Sequence, residues 1–266
     1  MRKLWLNLKL FYEGAVLSYI ALFRWLRPST YLATKVLSPL MMMLFFVFLG
    51  TYARGAGNES FYVIGNAVQM AAMSGIYGVT MSITGDRWDG TLPYLFASPA
   101  NRMALFVGRA IIHVIDGMFG VVLGFFWGVA LLGLDLSQTN LASLALVILV
   151  TTFSTSGLGL FLGSLSLMTR NVMFVNNTVF FLLLIFSGAN IEVATLPGWM
   201  QSVSWGLPLT RGIASAREVI AGKSLAEVLP LLGGEFLLGV VYVAIGYGFF
   251  NWFEFQAKKR GTLEAV

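Results

Sequence analysis

Three ionisable residues in one long apolar stretch have the spacing needed to act together. Arg109, His113 and Asp116 are four and three positions apart, which places them on one face of a helix. Ionisable groups inside a membrane are costly and usually face protein or water, so this face suits the sensing of a substrate or a proton. In the structural alternative, Arg109 reaches the cytoplasmic interface and Asp116 pairs with it through His113. Glu235, near the start of the last apolar stretch, leaves the same two alternatives.

Other kinds of chemistry are disfavoured by composition and local sequence. The chain has no cysteine and one histidine, which excludes thiolate chemistry and a metal centre of several histidines. The run AGKS at Ala221–Ser224 ends like a phosphate-binding loop, but Arg217 stands where that loop needs a glycine, and no strand precedes it. We therefore expect no catalytic residue, no metal site and no cofactor bound by this chain itself.

The elements that position these residues follow from the composition. Of the 266 residues, 58% are hydrophobic and 11% are charged, whereas a soluble domain usually carries about 25% charged residues. In lipid, backbone groups must be paired within their own segment, and alternation at period two is missing, so we predict an all-α integral membrane protein. Six segments approach or exceed the roughly 20 residues that a transmembrane helix needs. They are Val36–Tyr52, Phe61–Ile83, Ala104–Leu134, Leu141–Leu167, Val172–Ala189 and Val228–Phe253.

The distribution of basic residues predicts the orientation. Most of the 17 lysines and arginines precede the first span, lie around the loops after the second and fourth spans, or follow the sixth. Because short cytoplasmic loops are enriched in these residues, both termini should be cytoplasmic, as in a multi-pass protein of the inner (cytoplasmic) membrane of a cell. The net charge of +5 then reflects this asymmetry and attraction to anionic lipid, with no sign of a nucleic-acid partner.

We treat the chain as one membrane domain. Residues 1–35 form a cytoplasmic amphipathic helix in the membrane interface and a lead-in, because Lys9 and Glu13 fall on one face while Leu8 and Phe11 lie roughly opposite. A poorly formed additional span is the alternative. The remaining parts are spans 1–5 (36–189), an extracytoplasmic element (190–227) and span 6 with a cytoplasmic tail (228–266).

Glycines at helical spacing predict close packing between helices. Gly120, Gly124 and Gly128 lie in the third span, and Gly159 and Gly163 lie in the fourth. Small residues at this spacing let helix backbones approach each other, so we expect these glycines to face other helices of the same subunit.

The loop between spans 2 and 3 carries an unusually compact set of polar and apolar residues. It reads TGDRWDGTLPYLFASPANR, from Thr84 to Arg102, and its polar start is followed by an apolar patch around Tyr94 and Phe96. Pro99 then ends any helix. A short helix whose apolar side faces nothing in this chain would fit a groove on a partner. The alternative is an ordinary membrane-proximal loop.

This loop resembles the coupling-helix loop of the type-2 ABC exporter permeases. In that family an acidic-Arg-acidic start is followed by Gly-Thr, apolar residues and Ser/Thr-Pro. Trp88 stands in place of the second acid, and Asp89 follows one position later. The resemblance implies that one set of residues couples the chain to an ATPase. It comprises Asp86, Arg87, Asp89, Gly90, Thr91, Leu92, Leu95, Ser98 and Pro99.

Within that set, the resemblance suggests particular roles. Asp86 and Arg87 would contact the ATPase or the N-terminal helix through charge-assisted hydrogen bonds. Gly90 would permit a backbone angle that other residues resist.

A second stretch, Leu196–Gly222, resembles the segment that precedes the last span in the same family. There, Pro-x-Trp-x-Gln leads into a Pro-Leu-Thr turn followed by an arginine and a glycine, and Leu207 replaces the usual asparagine. The resemblance and the composition imply short re-entrant helices on the extracytoplasmic side between spans 5 and 6. They would form either a gate for substrate release or a simple outer cap. The gate residues would be Trp199, Trp205, Pro208 and Arg217.

The resemblance also implies a function. The chain would be the non-catalytic permease subunit of an ABC exporter, and ATP and Mg would be bound by a separate cytoplasmic ATP-binding cassette subunit. A permease dimer among membrane lipids, either a homodimer or a pair with a related chain, would export a hydrophobic or amphipathic substrate by alternating access. Drugs, lipids, lipid-linked glycans and peptides all belong to this class. The alternative from another class is an ATP-independent carrier or channel.

Overall fold

The computed structural model describes residues 28–55, 57–97, 101–167 and 171–260, together with residues 9, 11–13 and 16. Helices dominate these residues and no strand occurs among them, so the predicted all-α class is confirmed for this part of the chain. Most of the predicted N-terminal interfacial helix lies outside the described residues. Its described positions are helical, and Lys9 Nζ lies 3.6 Å from Glu13 Oε1.

Two of the helical stretches contain a π-helical segment. Helices α1 (Pro28–Leu32) and α2 (Ser38–Arg54) are joined by the π-helical segment Ala33–Leu37, and helices α3 (Glu59–Ala72) and α4 (Val79–Trp88) by Met73–Gly78. The later elements are α5 (Leu92–Ala97), α6 (Arg102–Leu132), α7 (Leu141–Ser166), α8 (Val172–Phe186), a 3₁₀ turn (Val193–Thr195), α9 (Gly198–Gly206), α10 (Thr210–Ile220) and α11 (Leu225–Arg260).

Four stretches in the described part of the chain are long and apolar enough to cross a membrane: Ala33–Ala53, Met103–Leu132, Leu141–Ser166 and Leu225–Gln256. They correspond to predicted spans 1, 3, 4 and 6. Predicted span 2 is the continuous helix from α3 to α4, which Asn66 and Gln69 make more polar. Predicted span 5 corresponds to α8, which is apolar but shorter. That these two helices also cross the membrane remains a prediction.

Asparagine side chains fix where three of these helices begin. The side chains of Asn101, Asn140 and Asn171 accept hydrogen bonds from the main-chain amides three residues later, at 3.2, 3.0 and 3.1 Å. Each satisfies an amide that the first turn of a helix leaves without a partner. Helix α6 ends at Leu132, and Gly133 after it has a φ of 68°, which turns the chain away from the helix axis.

Helix α7 lies at the centre of the bundle, and most of its residues are buried. A side chain at Gly159 would collide with the carbonyl of Gly75, in the second π-helical segment. On another side, a Cβ at Gly157 would lie 2.6 Å from the Gly239 carbonyl of α11. Small residues therefore let both neighbours pack backbone against backbone with α7.

The glycines of α6 serve the same purpose against α3. A Cβ at Gly124 would lie 2.9 Å from the Cα of Ala67, and one at Gly128 would meet the side chain of Val63. Gly163 likewise faces Ile83 of α4. The predicted packing of these glycines within one subunit is confirmed.

Contacts between helix ends show which turns share an end of the bundle. At one end, Phe96 of α5 packs against Phe250 of α11, with ring centroids 5.8 Å apart. At the other end, Arg217 of α10 donates a hydrogen bond of 2.9 Å to the carbonyl of Phe61, near the start of α3. We refer to these as the α5 end and the α10 end.

Candidate functional site

The turn after α4 is a glycine-terminated helix end. The amide of Thr91 donates to the carbonyl of Asp86 at 2.8 Å, and the amide of Gly90 donates to the carbonyl of Arg87 at 3.3 Å. With a φ of 67° at Gly90, these bonds form a Schellman motif. The Thr91 hydroxyl also lies 3.1 Å from Asp86 Oδ1. The Gly-Thr pair thus sets the direction in which the chain leaves α4, and Gly90 has the unusual backbone angle expected of it.

Asp86 and Arg87 belong to the last turn of α4, and each has a partner on another helix of this chain, whereas their expected contacts with an ATPase or the N-terminal helix stay predictions. Asp86 forms an ion pair with Arg109 of α6, and Arg109 also donates to the carbonyl of Ser82 at 2.8 Å. Arg87 donates at 2.9 Å to the carbonyl of Leu167, where a cation is favourable at the C-terminus of α7. Because this turn packs against α6 and α7, both charges have partners inside the chain.

Helix α5 is anchored on this chain rather than left without a contact. Phe96 is 3% exposed, and its ring centroid lies 5.8 Å from that of Phe250 and 6.3 Å from that of Phe253. Leu95 is partly buried against the same cluster. The expectation that the apolar side of this helix faces nothing is therefore wrong for these two residues. Tyr94, on the other face, is 78% exposed.

Several described residues of the turn and of α5 are exposed at the α5 end. Trp88, Asp89 and Gly90 are exposed at the turn, and Tyr94 is exposed on α5. The side chain of Leu92, and the residues Ser98 and Pro99, lie outside what the structure describes. We call the set Trp88, Asp89, Gly90 and Tyr94 the α5 surface.

The expected pairing of Asp116 with Arg109 through His113 is wrong. Seven residues along a helix span about 10 Å, and each charge finds a closer partner on another helix. Arg109 pairs with Asp86 at the α5 end, whereas Asp116 forms an ion pair with Lys35 and accepts a hydrogen bond of 2.6 Å from the Ser74 hydroxyl. The polar stripe of α6 is therefore divided between two groups of contacts.

Lys35 and Ser74 were not singled out by the sequence. Lys35 precedes the predicted first span by one residue and counts there as a cytoplasmic charge, but in the structure it belongs to the span-length helix Ala33–Ala53. Its ammonium also donates to the Ser74 hydroxyl. Ser74 had no distinguishing local signal, since it lies among small residues of an apolar segment.

Both π-helical segments meet at these contacts. Lys35 lies in the first segment and Ser74 in the second, and π-helical turns are frequent at functional sites. Gly78, also in the second segment, leaves room for the ring of His113, because a Cβ at Gly78 would lie 2.8 Å from His113 Cε1. His113 is fully buried, and neither of its ring nitrogens has a hydrogen-bond partner among the described residues. We call Lys35, Ser74, His113 and Asp116 the Lys35 cluster.

Glu235 contacts α10 and does not share a stripe with the residues of α6. Its side chain is fully buried, and Oε1 accepts a hydrogen bond of 2.9 Å from the amide of Leu209, the residue before α10. A carboxylate is favourable at this end of a helix. Leu209 has a φ of 80°, which is unusual for a residue other than glycine. Glu235 of α11 therefore holds a strained turn in place.

Short helices do occur between predicted spans 5 and 6, as the sequence indicated. Of the expected gate residues, Trp199 on α9 is exposed, whereas Pro208 is buried before α10. Trp205 contacts Arg211, whose guanidinium donates at 2.6 Å to the Trp205 carbonyl and lies 5.4 Å from the centroid of its ring.

Arg217, the fourth expected gate residue, is directed into the protein. Its guanidinium donates at 2.9 Å to the carbonyls of Phe61 and Gly188 and lies 3.6 Å from the Phe61 ring centroid. Burial lowers the pKa of Arg217 to about 10, with Glu192 opposing the shift, so the group stays charged at neutral pH. Arg217 therefore joins α10 to the start of α3 and to the chain that follows α8.

The run AGKS connects two helices. Gly222, with a φ of 89°, donates to the Val219 carbonyl at 3.1 Å, and Lys223 donates to the Glu218 carbonyl at 3.0 Å, which is a second Schellman motif. The Ser224 amide and hydroxyl both donate to the Glu227 carboxylate, at 2.8 and 2.7 Å. The Glu227 side chain thus caps the amide of Ser224 at the start of α11, which is one half of a capping box. The polar groups of this run complete helix ends.

Comparisons with known proteins find similar proteins among membrane transporters. The model of the family described as ABC-2 type transporter matches residues 15–221. The daunorubicin resistance ABC transporter permease protein DrrB1 of Streptomyces coeruleorubidus is 29% identical over 198 residues, which cover 71% of this chain and 68% of that protein. The probable multidrug ABC transporter permease YbhR of Escherichia coli (strain K12) is 29% identical over 154 residues, which cover 56% of this chain and 40% of that protein.

Proposed function

The chain belongs to the ABC-2 type transporter family, and from that premise we propose that it exports a hydrophobic or amphipathic substrate as one subunit of an ABC exporter. Its helices and its similarity to two proteins named as permeases make it a multi-pass ABC transporter permease. Export, the class of substrate and the inner-membrane location with both termini cytoplasmic are parts of the proposal. The similarity to a drug-resistance permease and a probable multidrug permease supports an amphipathic cargo.

The energy would come from a separate ATP-binding cassette subunit that binds ATP and Mg. The one run of this chain that resembles a phosphate-binding loop supports this division, because the amides of Gly222 and Ser224 already bond to neighbouring groups of the protein. A phosphate-binding loop needs such amides directed at the nucleotide. The chain itself would therefore have no catalytic residue.

The α5 surface is the proposed contact with that ATPase, and the anchoring of α5 is the observation that carries this assignment. The Schellman motif joins α5 to α4, and Phe96 joins it to α11. Asp86 and Arg109 tie the same turn to α6. Because α5 and the turn before it are attached to α4, α6 and α11, a displacement of α5 would move the ends of these three helices together.

The α10 end is the proposed side of substrate release. Glu235 and Arg217 connect α10 to α11, to α3 and to the chain after α8. Rearrangement of the long helices would therefore be transmitted to α10. A second permease copy, either identical or related, would complete the transport path, and exposed apolar side chains on α2, α6 and α11 leave surface for that copy and for lipid.

The proposal is tested with the permease and an ATP-binding cassette subunit encoded beside it. The two should elute together from a size-exclusion column, and vesicles that contain both should accumulate a lipophilic dye only when ATP is supplied. Vesicles that contain the permease alone should not accumulate the dye. Transport by the permease alone, with no stable association with the ATPase, would favour the ATP-independent carrier or channel and contradict the proposal.

A further inference from the structure

A lysine ammonium is held among hydrogen-bond acceptors in the Lys35 cluster. The ammonium of Lys35 contacts the Asp116 carboxylate and the Ser74 hydroxyl, and that hydroxyl lies 2.6 Å from the same carboxylate oxygen. The side chains of Lys35 and Asp116 are 16% and 10% exposed. His113 lies one helical turn from Asp116 on α6 and is fully buried. Its two ring nitrogens have no hydrogen-bond partner in the described part of the chain.

Stability alone is a weak reason for such a pair. Removing two charges from water carries a large desolvation cost, and well-packed apolar residues in place of a buried ion pair are often as stable. Ionisable groups at membrane depth more often mark a path for a substrate or an ion. The pair also lies where both π-helical segments meet, which is a typical position for a functional site.

The donors and acceptors of the cluster fit one chemical group. An alkylammonium has three N–H donors and no acceptor, and a neutral imidazole offers one acceptor nitrogen. Asp116 and Ser74 therefore provide a carboxylate and a hydroxyl for two of the three N–H groups, and Lys35 already bonds to both. His113 lies one helical turn from Asp116 and has no hydrogen-bond partner on either ring nitrogen among the described residues.

We propose that the Lys35 cluster is a binding site for the ammonium group of an amphipathic amine, and that the Lys35 ammonium occupies this site when no cargo is bound. This inference rests on the proposed function as an exporter and specifies its substrate class. The exchange replaces one cation by another, so the charge beside Asp116 stays balanced throughout. The long apolar stem of Lys35 lets its ammonium move toward the membrane interface when it is displaced.

The surroundings of Asp116 provide for the apolar part of such a cargo. Ile115 precedes Asp116 in the sequence, and Phe119 lies about one turn further along α6. Both residues are more than half exposed. An amine that enters from the lipid would place its apolar part against them while its ammonium reaches the carboxylate. Displacement of Lys35 would also release the first π-helical segment from the second π-helical segment and from α6, and so link cargo binding to the position of the first span.

Binding to the purified permease in lipid nanodiscs is the direct test. The probe is dodecylamine, and its matched control is N-dodecylacetamide, which has the same alkyl chain and no charge. Binding is followed by titration calorimetry, and heats from nanodiscs without protein are subtracted. We expect saturable binding of the amine and no saturable binding of the amide.

Substitution of Lys35 should change the affinity for dodecylamine in opposite directions for the two alternatives: it should strengthen binding if the cluster is a binding site and weaken it if the cluster is only a structural ion pair. If Lys35 occupies the site in about nine of ten molecules, then Lys35→Met should lower the apparent Kd for dodecylamine about tenfold, because the competing group is gone. Asp116→Asn should remove the preference for the amine over the amide. Lys223→Met, which removes an exposed lysine at the α10 end, should leave both values unchanged.

Several results would overturn the inference. These are equal binding of the amine and the amide, weaker amine binding by Lys35→Met, and an Asp116→Asn variant that keeps the preference. If Lys35→Met does not insert, Ser74→Ala provides the second test and should weaken amine binding alone. No ATPase takes part in this assay, so failure of the exporter proposal and failure of the amine site are distinguishable.

Discussion

Substitution of Gly90 gives a sharp test of how the turn after α4 is built. Gly90 has a φ of 67°, and a Cβ placed on it would have no atom within 4 Å. A side chain there would therefore meet open space, and its cost would come from the backbone angle alone. For an L-residue this region costs roughly 1–2 kcal/mol, asparagine tolerates it best, and β-branched residues tolerate it least. We expect destabilisation to increase in the order Gly90→Asn, Gly90→Ala, Gly90→Val.

Gly85 supplies a matched control five residues earlier. It also has open space around the Cβ position, but it lies within α4 and has no positive φ. Alanine is favoured over glycine inside a helix by roughly 0.5–1 kcal/mol. Gly85→Ala should therefore stabilise the protein slightly, whereas the same chemical change at Gly90 should destabilise it.

Two measurements follow this series. The first is thermal unfolding of the purified permease in detergent, and the second is the fraction of ATPase that stays bound on a size-exclusion column. Gly90→Val should lose most of the bound ATPase while the long helices remain folded, and Gly90→Asn should resemble the wild type in both assays. If Gly90→Val binds the ATPase as well as Gly90→Asn does, or if Gly85→Ala is as harmful as Gly90→Ala, the reasoning is refuted.

Further predictions concern packing, the α10 end and orientation. Arg217→Met should lower the unfolding temperature markedly, since each buried carbonyl left without a donor costs roughly 1–3 kcal/mol; an unchanged temperature would contradict the role of Arg217. Gly159→Ala should reduce the yield of folded protein because its Cβ would collide with a backbone carbonyl, whereas Gly198→Ala, which meets open space, should not; equal yields would argue against that close packing. A cysteine at Lys223 should be labelled from outside intact cells and one at Lys259 only after permeabilisation; labelling of the latter in intact cells would reverse the orientation.

Local sequence predicted the features that depend on neighbouring residues. Long apolar runs located the four span-length helices, within a few residues at each end. The expected backbone freedom at Gly90 matches its φ of 67°. The argument against a phosphate-binding loop at AGKS agrees with the helix ends that this run completes. Each of these features depends on residues that are close together in the sequence, so a short stretch of sequence is enough to predict it.

Features that depend on packing between distant helices were missed. The burial of Phe96 requires Phe250, which is remote in sequence, so the apolar side of α5 looked unoccupied. The pairing of Lys35 with Asp116 depends on which face of the first helix meets α6. A π-helical segment changes the residue spacing within a helix, so regular helical periodicity gives the wrong face beyond it. The expected pairing of Arg109 with Asp116 failed because both had nearer partners on other helices.

Cross-linking from Tyr94 tests most directly the proposal that this permease is driven through its α5 surface. A cysteine replaces Tyr94 in the complex with the ATP-binding cassette subunit, and a second variant carries a cysteine at Lys223, at the α10 end. We predict that a short cross-linker joins the ATPase to the permease from position 94, that the yield changes when an ATP analogue is added, and that position 223 gives no product. A complex that retains its ATPase but gives no product from position 94, or an equal product from position 223, would contradict the proposal.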